Sequence, residues 1–149
     1  FIAKLADMVG RVKAGKVVMT VDSGETVLPP IAGYASSLIN PDCKIVLASS
    51  DHRLLAFSIG ELKVMPKGRG LQLMSLADGA SLEYIMVTTS PEFTVVSVGR
   101  RGAEHQEKLR IADIDGKRGK KGKVLEISGR LKTLLQPSKR SFSDGLYSN

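Results

Sequence analysis

Two pairs of short β-rich runs constrain this chain more than any other feature. Lys44–Ala48 (KIVLA) and Leu54–Ile59 (LLAFSI) flank the polar stretch Ser49-Ser50-Asp51-His52-Arg53. Tyr84–Thr89 (YIMVTT) and Phe93–Val98 (FTVVSV) flank Ser90-Pro91-Glu92 in the same manner. Apolar, β-branched runs of this length closed by turn residues predict β-hairpins. The first pair begins near Cys43 and the second near Glu83, a spacing of about 40 residues. Three glycine- and cation-rich segments accompany the pairs: Arg11–Lys16 (RVKAGK), Lys67–Gly70 (KGRG) and Lys117–Lys123 (KRGKKGK). Each leads into a further predicted strand, KVVMTV, LQLMSL and KVLEI respectively. A period near 40 with several strands per unit is the signature of a propeller-like array. No amphipathic run of helical length competes with it. The expected fold is therefore all-β, with units at about 1–42, 43–82 and 83–135 and a solvated tail at 136–149. The third unit carries a polar insertion at Arg100–Lys108, and the first lacks an opening strand, as a piece cut from a longer protein would.

Composition narrows the function. Hydrophobic residues make up 42% and charged residues 25%, a globular balance. Apolar runs stop at about five residues, against roughly 20 for a membrane-spanning helix. The single cysteine, Cys43, excludes an internal disulfide framework and fits a reducing compartment. No signal-peptide pattern is visible at Phe1. The formal net charge is +7, and it is not spread evenly. Residues 1–99 hold 9 basic and 9 acidic side chains, whereas residues 100–149 hold 13 basic and 6 acidic. A one-sided cationic excess suggests a polyanionic partner. With 5% aromatic residues and no Trp, a base-stacking platform for single strands is disfavoured, and a partner held by its phosphates fits better.

The run Gly116–Lys123 (GKRGKKGK) is the sharpest chemical feature: five of its eight residues are cationic and the other three are glycine. Glycine lets backbone N–H groups approach phosphate oxygens while the side chains supply charge. The competing reading is a tight turn whose lysines face water, and three such segments in register weigh against it. Arg100 and Arg101 could hold a phosphate or pair with Glu104 and Glu107, the second reading being favoured. Lys63, Lys139 and Arg140 read as solvated. Asp113 and Asp115 resemble a carboxylate pair, but Asp115-Gly116 is also a turn signal and no third ligand lies near. His52 and His105 lack partners at a spacing that names a mechanism. Cys43 reads as a small core residue, and Tyr34, Tyr84 and Tyr147 have no nucleophile pattern. GKRGKKGK lacks the glycine spacing and the Ser/Thr of a P-loop, and a strand follows it. A protein-interaction scaffold and a small all-β enzyme remain the rival classes.

The runs FIAKLADMVGRVKAGKVVMTV and VLPP (Val27–Pro30), then RLLAFSIGELKVMPKGRGLQLMSL and DIDGKRGKKGKVL, resemble the late repeats of the C-terminal domain of the bacterial topoisomerase IV A subunit. The resemblance extends from Phe1 to about Leu135. It implies a β-pinwheel of about three blades, whose four-stranded blades exchange strands with their neighbours. It also implies a rim that binds and bends duplex DNA without sequence preference. By position, the DNA-binding residues would be Arg11, Lys13 and Lys16, then Lys67 and Arg69, then Lys117, Arg118, Lys120, Lys121 and Lys123. DNA cleavage and Mg²⁺ would belong to the N-terminal part of the A subunit, with ATP hydrolysis in the B subunit. This stretch would then have no catalytic residue, metal site or cofactor of its own, in a cytoplasmic, nucleoid-associated heterotetramer. The related domain of the DNA gyrase A subunit is the alternative. The glutamine–arginine–arginine–glycine box with which gyrase wraps DNA is absent from all three segments, which favours the decatenating enzyme.

Overall fold

A computed structural model describes residues 1–32, 40–127 and 129–137. In chain order the elements are α1 (Leu5–Met8), β1 (Lys44–Ser49), β2 (Arg53–Ser58), a 3-10 turn (Ile59–Glu61), β3 (Leu82–Thr88), β4 (Glu92–Val98), β5 (Glu104–Arg110), α2 (Ile111–Ile114), β6 (Lys123–Val124) and β7 (Arg130–Leu135). They form a four-stranded sheet in the order β3-β1-β2-β6 and a three-stranded sheet in the order β5-β4-β7. All of these pairings are antiparallel.

The first hairpin forms as expected, with Lys44 opposite Ser58 and Ala48 opposite Leu54. Its apolar runs are continuous rather than alternating because both faces of this sheet are covered. Val46, Ala48, Leu54 and Ala56 face a core shared with Phe93, Val95, Ile111, Ile114 and Leu131 of the second sheet and α2. Ile45, Leu47, Leu55 and Phe57 face the other way, against Cys43, Ile59 and Met74. Phe57 and Phe93 are completely buried, each stabilising the fold by about 2–3 kcal/mol through removal of apolar area from water.

The second expected hairpin does not form. β3 instead pairs along its length with β1, from Lys44 opposite Thr88 to Ser49 opposite Leu82. β4 pairs with β5 and β7 in the other sheet. Ser90-Pro91-Glu92 is thus a corner between sheets, held by Thr88 Oγ1 accepting from Ser90 N–H at 3.0 Å and Pro91 C=O accepting from Ile111 N–H at 2.8 Å. The hairpin equivalent to β1–β2 is β4–β5, whose second strand begins inside the segment read as a polar insertion. Corresponding strands begin at 44, 53 and 82 in one sheet and at 92, 104 and 130 in the other, so the repeat is about 50 residues rather than 40. Two further expected strands are largely absent as regular elements. KVVMTV makes one isolated bridge at Met19, and Leu71–Leu76 lies outside any sheet. KVLEI contributes only Lys123–Val124. Among the described residues, 1–32 add α1 and isolated bridges but no sheet. Of the tail, 138–149 lies outside the described residues.

Candidate nucleic-acid interface

Each glycine- and cation-rich segment after the first docks on the stretch that follows its predecessor. Gly68 N–H donates to Val18 C=O at 3.1 Å, and Met19 and Gly68 form a parallel bridge. One repeat later, Gly119 N–H donates to Leu73 C=O at 2.8 Å and Ser75 N–H donates to Lys120 C=O at 3.0 Å. Arg11–Lys16, Lys67–Gly70 and Lys117–Lys123 are therefore linked in chain order through backbone contacts, although about 50 residues separate one from the next.

The third segment is clamped at both ends. At its start, Arg118 N–H donates to Glu61 Oε2 at 3.0 Å, and the Arg118 guanidinium donates through Nη1 to Gln72 C=O at 2.7 Å. At its end, Arg53 Nη1 donates to Gly122 C=O at 3.3 Å. Arg53 is itself fixed by Asp51, with Nε to Oδ2 at 3.2 Å. The Ser49 hydroxyl donates to Asp51, and with Arg53 it holds that carboxyl below the ordinary carboxylate range. Lys123 then enters β6 opposite Leu54 of β2. Fixed ends and a glycine-rich middle make a cationic loop whose shape is set before any partner arrives.

The ten residues proposed from sequence divide by what they touch. Lys117, Lys120, Lys121 and Lys123 are exposed and make no ion pair among the described residues. Arg11, Lys13 and Lys67 are likewise exposed and unpaired there. Lys16 Nζ donates to the Asp7 carbonyl oxygen at 2.6 Å, and Arg69 pairs with Asp22. Both partners of the Arg69–Asp22 pair are more than half exposed, so it is worth about 0–1 kcal/mol and a phosphate can compete for the arginine. Arg118 is half-buried and acts as a clamp. Sequence reasoning missed Arg53 and Glu61, whose roles depend on a loop more than 50 residues away. Lys63 is exposed; Lys139 and Arg140 lie outside the described residues.

Asp113 and Asp115 are each held by a cation. Asp113 takes a forked pair of hydrogen bonds from Arg110 at 3.1 and 3.0 Å, which also raises the arginine's pKa. Asp115 pairs with Lys44 at 3.1 Å. The two carboxylates are thus neutralised separately, and no cluster of three or more metal-ligating side chains occurs among the described residues. His52 sits in the β1–β2 turn with φ of 60°, and His105 is exposed on β5. Cys43 is buried, which pushes its thiol pKa up. The Tyr84 hydroxyl donates to Leu131 C=O at 3.5 Å; Tyr34 and Tyr147 lie outside the described residues. Among the described residues, no helix is long and apolar enough to cross a membrane.

No family model matches the chain. It is 64% identical over 137 residues to the A subunit of DNA topoisomerase 4 from Neisseria gonorrhoeae, a match covering 92% of this chain. The chain belongs to the family of topoisomerase IV A subunits. The corresponding protein of Escherichia coli is 26% identical across 97% of the chain. The chain spans 18% and 19% of the lengths of these two relatives. Among solved structures, the E. coli ParC C-terminal domain superposes with a TM-score of 0.72 at 20% identity, covering 89% of this chain and 54% of that one. The fold is accordingly the all-β pinwheel of the topoisomerase IV C-terminal domain, and in it β3 pairs with β1 of the preceding hairpin.

Proposed function

We propose that this stretch of a topoisomerase IV A subunit is a DNA-binding domain that grips duplex DNA through its docked cationic segments and bends it. The observation that carries the reading is the clamped loop 117–123, which presents four lysines without an ion pair among the described residues and docks on the stretch that follows the second cationic segment. Its contacts would be with phosphates, so binding would be largely independent of sequence and sensitive to DNA shape. Bending a short site by tens of degrees costs about 1–6 kcal/mol, offset by the additional phosphates that successive segments reach. In the whole enzyme the domain would present duplex to the N-terminal part of the A subunit, with the B subunit as its further partner. Strand cleavage with Mg²⁺ and ATP hydrolysis are assigned to those parts, and relaxation and decatenation to the heterotetramer acting on the cytoplasmic nucleoid. The domain itself contributes no catalytic residue and needs no cofactor. The relatives above are topoisomerase IV proteins, which favours this enzyme over gyrase.

The test is binding of the chain to a linear duplex, long enough to reach successive segments, in a salt series. Lys117, Lys120, Lys121 and Lys123 are replaced together by Ala, while Arg118 is kept because it clamps the loop. Four phosphate contacts at a slope of about 0.9 each make the log–log salt dependence shallower by about three to four units. A slope that is already shallow and does not change overturns the reading, and an acidic protein partner then becomes the better account of the charge.

A further inference from the structure

The loop 117–123 does not exhaust the unpaired cations. At the far end of the second sheet, Val98, Gly99, Arg100, Gly129, Arg130 and Lys132 line an open depression. The pairing expected from sequence, Arg100 and Arg101 with Glu104 and Glu107, does not occur. Glu104 is taken by Lys132 across β4, and neither Arg100, Arg101 nor Arg130 makes an ion pair among the described residues. The backbone explains why the cations converge. Val98 stands opposite Arg130 on one side and Glu104 on the other, while Val96 faces Thr133 and Ser97 faces Leu131. Lys132 is the extra residue of a β-bulge, a feature that re-aims side chains at the ends of sheets. Gly129, at φ of 106°, lies against Val98 C=O so closely that a Cβ there would sit 2.1 Å from the oxygen, which seats Arg130 beside the Arg100 turn.

We infer that Arg100 and Arg130 form a second phosphate site that holds the duplex further along its path than the lysine loop does. The inference rests on the DNA-binding reading above. Residues 123–130 join the two cationic groups, a span of at most about 25 Å when extended, so one duplex can reach both. Glu126 of that connecting segment lines a second depression with Ser97, His105 and Glu107, whose carboxylates repel phosphate. The two groups are therefore separate points of contact, and their contributions to binding are separable.

The experiment measures the salt slope on the same duplex for Arg100→Gln/Arg130→Gln, for the four-lysine variant and for both combined. Arg100→Gln alone, in an exposed turn, guards against loss of fold in the β7 variant, and circular dichroism checks each. The double-glutamine variant lowers the slope by about two units, the single by about one, and the combined variant by the sum. A lysine-variant effect with an unchanged slope in both arginine variants overturns the second site and leaves the DNA-binding reading standing. No change in any variant overturns both. If inorganic phosphate alone protects Arg100 from arginine-modifying reagent as well as duplex does, the site takes free phosphate and the shared-duplex path is wrong.

Discussion

Replacing Gly122 by Ala tests whether the cationic loop is shaped by its contact with β2. Gly15 and Gly122 lie near the ends of the first and third cationic segments, and both have φ of +75°. An alanine in that conformation costs about 1–2 kcal/mol at either position. The surroundings then diverge. A Cβ at Gly15 meets nothing within 4 Å, whereas at Gly122 it lies 2.5 Å from Leu54 O, 2.9 Å from Leu54 C and 2.9 Å from Met74 Cε. The methionine can move, but the Leu54 carbonyl belongs to the central hairpin and cannot. Relief requires the 122–124 segment to lift, which breaks the β6–β2 pairing and the Arg53 hydrogen bond to Gly122, each bond worth about 1 kcal/mol. The expected losses are about 1–2 kcal/mol for Gly15→Ala and about 3–4 kcal/mol for Gly122→Ala. Urea unfolding followed by far-ultraviolet circular dichroism reads both, and only Gly122→Ala also weakens duplex binding. Equal losses at the two glycines would refute the argument, because the backbone conformation alone would then account for both.

Phe57→Ala empties a fully buried position in the first sheet and lowers stability by about 3–5 kcal/mol in the same unfolding assay. The folded-state pKa of Asp51 is depressed, so its stabilising contribution is present above the unfolded value near 3.8 and is lost as pH falls through the folded value. Asp51→Asn accordingly flattens the acid limb of the stability–pH curve below about pH 4, as thermal melts across pH would show. Glu107→Gln/Glu126→Gln removes the negative charge of the second depression and tightens duplex binding several-fold at low salt, with the difference shrinking as salt is raised. Cys43, buried and with its pKa raised, reacts with a thiol reagent only as fast as the chain unfolds, measurable by adding denaturant.

The polar strand β5 shows where sequence reading stops. Its burial pattern is exposed at every position but Leu109, so EHQEKLR carries no alternation to detect. It is a strand because β4 supplies hydrogen-bonding partners from Glu92–Arg110 to Val98–Glu104. The opposite error occurs at KVVMTV, whose β-branched residues read as a strand although only Met19 finds a bridge partner among the described residues. Pairing, not propensity, made the difference in both places.

Local chemistry alone determined the all-β class, the β1–β2 hairpin and the three glycine–cation segments, because turn residues and apolar runs act over a few neighbours. Tertiary structure decided that β3 crosses to β1, since either partner could satisfy the same run of backbone groups and only burial of the shared core selects one. It also decided which cations remain available. Asp22 reaches Arg69, Gln72 holds Arg118 and Glu104 takes Lys132, through contacts 28 to 47 residues apart in sequence. A charge is neutralised by what folding brings within a few ångströms of it, and that distance is not written in the order of the residues.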